Sequence, residues 1–263
     1  MSNNDNIFAQ LQVLSTMSQE TTISQLRKQL NEIPAFFKTR PDYLENVKIF
    51  AEVVRNLEVQ TLLDCDSFMV QDDMLITEIP EELRHDSLGF CTGSTINFLG
   101  RYVYPVKDVH GDVMGFCGYD MFSDVKYLDS INFGYKAKQY SLWGMERLPD
   151  YYRNDKPVFF VEGIVCALYL RQCGLQSLAM LGSNTSPYVS TIIRRFGSRA
   201  IIVSDSDEAG TKCRRSMKYK APNARCLQST VAKDVDDSRK VNPEFATELA
   251  KMSDPFYKSE LFY

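Results

Sequence analysis

The sequence predicts an α/β protein: a mostly parallel sheet with flanking helices, preceded by a smaller α+β basic subdomain and an amino-terminal helical segment. Three observations carry this. From residue 158 onward, short apolar runs alternate with helical periodicity, the pattern of parallel strands joined by crossover helices. Residues 101–118 read as two strands around a turn. The first sixty or so residues place apolar side chains at three- and four-residue spacing.

In chain order, residues 24–37 and 43–57 are expected to be helices, with Pro34 and Pro41 marking the break between them. Phe68, Val70, Met74, Ile76 and Ile79 alternate weakly and suggest short strands. Residues 101–107 are β-branched and aromatic, 108–111 supply turn residues, and 112–118 return as a glycine-rich strand. A basic and aromatic stretch follows, containing Lys126, Tyr127, Lys136, Lys138, Tyr140 and Trp143. The polar, tyrosine-rich residues 149–157 form the expected boundary. Val158, Phe159, Phe160 and Val161 make an unbroken apolar run typical of a buried parallel strand. Then come a helix over 164–172 closing at Gly174, a strand over 177–181, a helix over 188–196 and a strand over 200–203. A helix over 209–219, a strand over 224–227, an acidic loop at 233–237 and a last helix over 242–251 complete the series. The chain is accordingly divided into a mainly helical region (1–88), the basic α+β subdomain (89–150), the parallel-sheet domain (156–242) and a carboxyl-terminal helix and tail (243–263).

The 263 residues are 44% hydrophobic and 24% charged, enough to bury a core without a disulfide or metal staple. No run of about 18 apolar residues is present, and the start lacks a basic-then-apolar secretory pattern, so a cytoplasmic protein with no membrane partner is expected. Seven scattered cysteines form no Cys-x-x-Cys pair and two histidines stand far apart, which argues against structural zinc. Cys166 and Cys173 lie on an apolar helical pattern and are expected in the core. Net charge is −4, yet residues 194–225 carry nine Lys or Arg against Asp205, Asp207 and Glu208. Such a run suits local nucleic-acid binding, although charge alone favours a solvated helix face.

Ligands of open parallel sheets bind beyond the carboxyl ends of the strands. Acidic residues stand there: Glu162 after the first strand, Asp205 and Asp207 after the third, Asp234 and Asp236 after the fourth. The two-residue spacing of Asp205 and Asp207 lets both carboxylates point one way from an extended strand end. Gly163 and Gly182, the latter followed by Ser183, permit close approach of backbone to phosphate. Oxygen donors without sulfur or imidazole suit Mg²⁺ or Mn²⁺.

These residues resemble a known family. Val161-Glu162-Gly163, Leu181-Gly182-Ser183, Asp205-Ser206-Asp207-Glu208-Ala209-Gly210 and Lys233-Asp234-Val235-Asp236 are similar to the Toprim domain of DnaG-type primases, topoisomerases and some nucleases. The Asp-x-Asp-x-Ala-Gly and Lys-Asp-x-Asp patterns are closest to the bacterial and phage primases. Residues 101–118 resemble the primases' arginine-led and glycine-rich strands. Lys126-Tyr127-Leu128-Asp129-Ser130 resembles their Lys-Tyr-Leu-Asn-Ser motif, and Lys138 with Leu142-Trp143-Gly144 resembles the segment preceding Toprim. The resemblance runs over about 88–240.

It implies a Toprim-type sheet and a DNA primase, a nucleotidyltransferase that makes short RNA primers on single-stranded DNA. It assigns catalysis to Glu162, Asp205 and Asp207, and Mg²⁺ or Mn²⁺ to these three with Asp234 and Asp236. It assigns nucleic-acid or nucleotide contacts to Arg101, Lys126, Lys138 and Lys233, and phosphate approach to Gly163, Gly182 and Ser183. The implied partners are single-stranded template, nucleoside triphosphates, and a replicative helicase or separate zinc-binding initiation factor, in the cytoplasm of a bacterium or phage-infected host. The chain departs from the family in carrying Cys166 where primases have Asp and Tyr119 where they have Arg. The zinc-binding module that precedes the core in the family has no counterpart in these residues. Two other readings stay open: a Toprim nuclease, against which the Lys126 and Lys138 motifs argue, and a non-catalytic core that binds nucleic acid or recruits a helicase.

Overall fold

The computed structural model describes residues 23–132, 134–254, 256–257, 259 and 261–262; the expected helical region before residue 23 lies outside them. Helix α1 (Ile23–Lys38) buries Leu26, Leu30, Ile33 and Phe37, one stripe of a 3.6-residue period. Pro34 sits inside this helix and does not end it. Burial of Ile33 and Phe37 on either side outweighs the one backbone donor that proline lacks. Helix α2 (Tyr43–Ile49) runs on into a π-helical turn, Phe50–Arg55, which closes at left-handed Asn56. The wider turn lets Phe50 stack on Tyr102 with centroids 3.7 Å apart. A short helix α3 (Val59–Leu63) follows. The strands expected across 67–79 reduce to β1 (Phe68–Met69); Val70, Met74 and Ile79 are buried from turns instead.

A ribbon of β2 (Cys91–Thr92) and β3 (Thr95–Ile96) leads to the expected hairpin, β4 (Tyr102–Lys107) and β5 (Val113–Tyr119). Strand β6 (Tyr127–Asp129) joins it, giving an antiparallel sheet of order β1-β4-β5-β6. The glycines of β5 serve packing: a Cβ on Gly115 would stand 2.8 Å from the side chains of Ser130 and Asn132. A second ribbon, β7 (Ile131–Asn132) with β8 (Tyr135–Lys136), follows. Trp143 then exchanges backbone hydrogen bonds of 2.9 and 3.1 Å with Ala179, so this segment lies against the edge of the parallel sheet. Helix α4 (Leu148–Tyr152) occupies part of the expected boundary.

The second half alternates as expected: β9 (Val158–Val161), α5 (Ile164–Gln172), β10 (Gln176–Ala179), α6 (Pro187–Arg195), β11 (Ala200–Ser204), α7 (Glu208–Lys220) and β12 (Arg225–Gln228). All four strands are parallel, in the order β10-β9-β11-β12. The strand period of two sorts the core. Val158, Phe160 and Ile202 face α6 and α7 through Val189, Ile193 and Met217. Phe159, Val161, Ile201 and Val203 face the other way and merge with the amino-terminal core around Phe68 and Tyr102. The expected last helix is α9 (Phe245–Lys251), and it is preceded by a helix the sequence reading did not expect, α8 (Val235–Val241). Asp236 therefore belongs to the first turn of a helix and not to an acidic loop. Cys166 is buried, but Cys173 is exposed, because left-handed Gly174 ends α5 at that point. Among the described residues no helix is long and apolar enough to cross a membrane.

Candidate active site

The carboxyl ends of β9, β11 and β12 bring acidic groups to one rim of the parallel sheet. Glu162 directly follows β9 and accepts a 3.1 Å hydrogen bond from the backbone N–H of Asp205, which follows β11. Asp207 caps α7 by accepting from the Gly210 N–H at 2.9 Å; Asp234 caps α8 by accepting from the Asp237 N–H at 2.8 Å. Both loops are tied together through Ser206, whose N–H donates to the Lys233 carbonyl at 2.6 Å and whose hydroxyl donates to the Ala232 carbonyl at 3.0 Å. Gln228 donates its side-chain amide to the Asp205 carbonyl. Gly210 must be glycine, since a Cβ there would run into the Asp205 carbonyl. Sequence reasoning missed these three supports. The Asp-Ser-Asp-Glu-Ala-Gly motif contains Ser206 and Gly210, so their importance had a signal; Gln228 had none.

The electrostatics separate the acids. Burial pushes the Asp205 carboxyl up to about 7, and the charges of Glu162, Asp234 and Asp207 add to it. Burial also raises Glu162, against the opposing hydrogen bond from the Asp205 N–H, and raises Asp234. Asp207 goes the other way, because the Gly210 N–H holds it below the ordinary carboxylate range. Lys233 lies 3.4 Å from Asp207; burial works against its ammonium, but the surrounding acids prevail and raise it. Burial raises the Cys166 thiol well above its ordinary value, and Asp234, Asp205 and Asp236 reinforce this, so it remains a neutral thiol among the acids.

Asp236 is placed differently from the expectation that grouped it with the metal ligands. Its side chain is 7% exposed, and Arg239 holds one oxygen through two contacts of 2.8 and 2.7 Å. Lys240 at 3.2 Å and Arg55 at 3.6 Å flank the other. A carboxylate already matched by three cations has little to offer a metal ion. Among the described residues no group of three or more His, Cys, Asp or Glu side chains stands close enough to hold a metal without rearrangement. The donor chemistry nonetheless fits a hard divalent cation: Glu162, Asp205, Asp207 and Asp234 offer only oxygens, and the mutual repulsion felt at Asp205 is what such a cation relieves.

The other expected residues fall into two places. Gly182 has φ +125, a conformation open to glycine, and donates its N–H to the Glu162 carbonyl at 3.2 Å, so the loop carrying Ser183 lies against the acids. Gly163 leads extended into α5. Arg101, Lys126 and Lys138 gather instead around β6. Arg101 donates to the Val125 carbonyl at 3.0 Å and the Ser123 hydroxyl at 3.3 Å, Lys126 is exposed, and Lys138 pairs with Asp129 at 2.6 Å. The basic run of 194–225 divides as well. Arg199 and Arg225 bind backbone carbonyls, the first those of Tyr151 and Asn154, the second that of Asp254 at 2.9 Å, whereas Arg194, Arg195, Arg215 and Lys218 are exposed.

Comparison with protein-family models finds no match. The DNA primase of Aquifex aeolicus is 30% identical over 122 residues, covering 45% of this chain and 24% of that protein. The chain spans about a quarter of the length of the curated relatives it matches. Among solved structures, the zinc-binding and RNA polymerase domains of the Aquifex aeolicus primase superpose with a TM-score of 0.72 at 20% identity, over 92% of this chain and 62% of that one. A DnaG primase catalytic domain bound to single-stranded DNA gives 0.70 at 22% identity, over 87% of this chain and 81% of that one. In fold over most of its length, and in sequence over about half, the chain is similar to the catalytic core of DnaG-type primases, with a Toprim-type parallel sheet carrying the acidic rim.

Proposed function

We propose that the chain catalyses metal-dependent nucleotidyl transfer, making short primers on single-stranded DNA. The observation that carries this is the convergence of Glu162, Asp205, Asp207 and Asp234 at one rim of the sheet, with Asp205 pushed up to about 7. The reaction joins a 3′-hydroxyl to the α-phosphorus of an incoming nucleoside triphosphate and releases pyrophosphate. Asp205, Asp207 and Asp234 are the residues to hold Mg²⁺ or Mn²⁺. When bound, the cation supplies positive charge opposite the oxygens on which negative charge develops.

The remaining roles fall to the chain's own groups. Glu162, raised by burial and fixed by the Asp205 N–H, is suited to take the proton from the attacking hydroxyl. Lys233, half exposed beside Asp207, can turn its ammonium to the triphosphate. Gly182 and Ser183 leave room for a phosphate beside the Glu162 backbone, and Gly163 does the same at the start of α5. Arg101 stiffens the loop that precedes Lys126, while Lys126 and Lys138 meet template phosphates, Lys138 by exchanging Asp129 for the nucleic acid. A replicative helicase or separate zinc-binding factor would act as partner in initiation, in the bacterial or phage-infected cytoplasm.

The test is one metal-dependent assay with single-stranded template and labelled ribonucleotides. Primer products support the proposal. Degraded template would favour the nuclease reading, and neither product would favour a non-catalytic core.

A further inference from the structure

A ring of contacts joins the amino-terminal helices to the acidic rim, and it closes on Arg55. The π-helical turn ends with this residue, and its guanidinium lies 3.9 Å over the Tyr119 ring at the end of β5. The side chain is 12% exposed and stands 3.6 Å from Asp236, in the first turn of α8. Asp236 accepts from Arg239, and Arg239 in turn donates to the backbone carbonyls of Arg55 and, at 2.7 Å, of Asn56. Its guanidinium also lies 4.8 Å over the Tyr169 ring of α5. The ring therefore clamps the start of α8 between the π-helical turn and α5. The N-cap of that helix is Asp234, two residues from Asp236.

We propose that Arg55 is a positioning residue: through Asp236 and the first turn of α8 it fixes where the Asp234 carboxylate is presented to the divalent cation. This rests on the reading of Asp234 as a metal ligand. Two features separate positioning from simple stabilisation. Arg239 and Lys240 still neutralise Asp236 without Arg55, so no buried carboxylate would be stranded by its loss. Arg55 itself is poorly satisfied, since its Nε and Nη2 are buried without hydrogen-bond partners among the described residues. A buried guanidinium with two unused donor nitrogens is a costly way to hold a fold together. What it does supply is a planar cation wedged between an aromatic ring and the carboxylate, which sets the rotation of the α8 amino terminus. Groups that orient metal ligands from behind act in this way.

The experiment measures Mn²⁺ binding by electron paramagnetic resonance on the full chain without nucleotide, for the parent and for Arg55→Gln, Arg55→Lys and Asp234→Asn. Melting curves in EDTA run alongside. Arg55→Gln is expected to weaken Mn²⁺ binding about tenfold or more while the EDTA melting point moves only a few degrees. Primer synthesis by this variant should be poor at limiting Mg²⁺ and recover at saturating Mg²⁺. Arg55→Lys, which keeps charge but loses the planar stack, should fall between the two. If Asp234→Asn weakens Mn²⁺ binding and Arg55→Gln does not, the positioning role is overturned. If Asp234→Asn leaves Mn²⁺ affinity unchanged, the metal-ligand reading fails and takes the positioning role with it. If Arg55→Gln melts far below the parent in EDTA and Arg55→Lys restores stability without restoring Mn²⁺ affinity to an intermediate value, Arg55 is a structural clamp and the proposal is overturned.

Discussion

Asp234 and Asp236 stand two residues apart at the start of one helix, yet they live in opposite electrical surroundings. Burial raises the Asp234 carboxyl, with the charges of Asp237 and Asp236 adding to it, and its own charge is felt at Glu162 and Asp205. Asp236, in the first turn of α8, is enclosed by Arg55, Arg239 and Lys240. The first is left short of positive charge, as a group awaiting a cation would be. The second is more than neutralised, as a group that holds elements together should be. The same residue type at nearly the same place in the chain is a ligand candidate or a fastener according to the cations that reach it.

The strongest way to break this contrast is to neutralise one acid from each side. Asp205→Asn, on the acidic rim, is expected to lower metal-dependent synthesis by at least about 100-fold. Its melting point in EDTA should equal or exceed that of the parent, because a repelled charge has been removed. Normal synthesis by this variant, with a lower melting point in EDTA, would make Asp205 a structural group. Asp236→Asn should behave in reverse and destabilise the protein by roughly 2–4 kcal/mol, with or without Mg²⁺, since it strands a buried cluster of cations. Denaturant titration reads this, and an unchanged midpoint would refute the fastener role.

Acidity sharpens the comparison further. Asp205 has a folded-state value of about 7 against an ordinary 3.8, so the folded protein binds the extra proton between those limits. Its contribution to metal-free stability is therefore most favourable at low pH and is lost as pH rises from about 4 to about 7, by up to about 4 kcal/mol. Added Mg²⁺ should restore stability at the upper end, and Asp205→Asn should flatten this part of the profile. Stability curves at several pH values, in EDTA and in Mg²⁺, provide the check. The smallest effects are expected at β6. Lys126→Ala or Lys138→Ala should weaken single-strand binding a few-fold and reduce the salt slope by about one. Stability should stay within about 0.5 kcal/mol. Equal binding to the parent at every salt concentration would remove both lysines from the template path.

Much of this architecture was readable from residue order because its signals are local. The apolar quartet Val158–Val161 and the run Ala200–Val203 mark strands buried on both faces, as in a covered parallel sheet. Asp207 and Asp234 could be placed beyond strand ends because the apolar runs that precede them leave a short-range trace, whereas their roles as helix caps emerged only in the fold. Other features had no such trace. Pro34 inside α1, the π-helical turn before Asn56 and the turns that replaced the strands after Met69 depend on what packs against them. Cys173 shared the apolar spacing of Cys166, but Gly174 ended the helix one residue too soon to bury it.

The acids show where local pattern stops. Sequence sufficed to say that carboxylates cluster beyond the strands, since strand direction and i, i+2 spacing are properties of the backbone. Two of the cations around Asp236, Arg239 and Lys240, are local partners three and four residues on, but the third, Arg55, stands some 180 residues before it and could not be read from the helix alone. Electrostatic environment is a sum over distance in space, and in a folded chain that distance bears little relation to separation along the sequence. Asp205 acquired its raised value from burial and from the acids of three strand ends brought together, and Asp236 is engaged by Arg239 and Lys240 of its own helix and by Arg55 from the amino-terminal part of the chain.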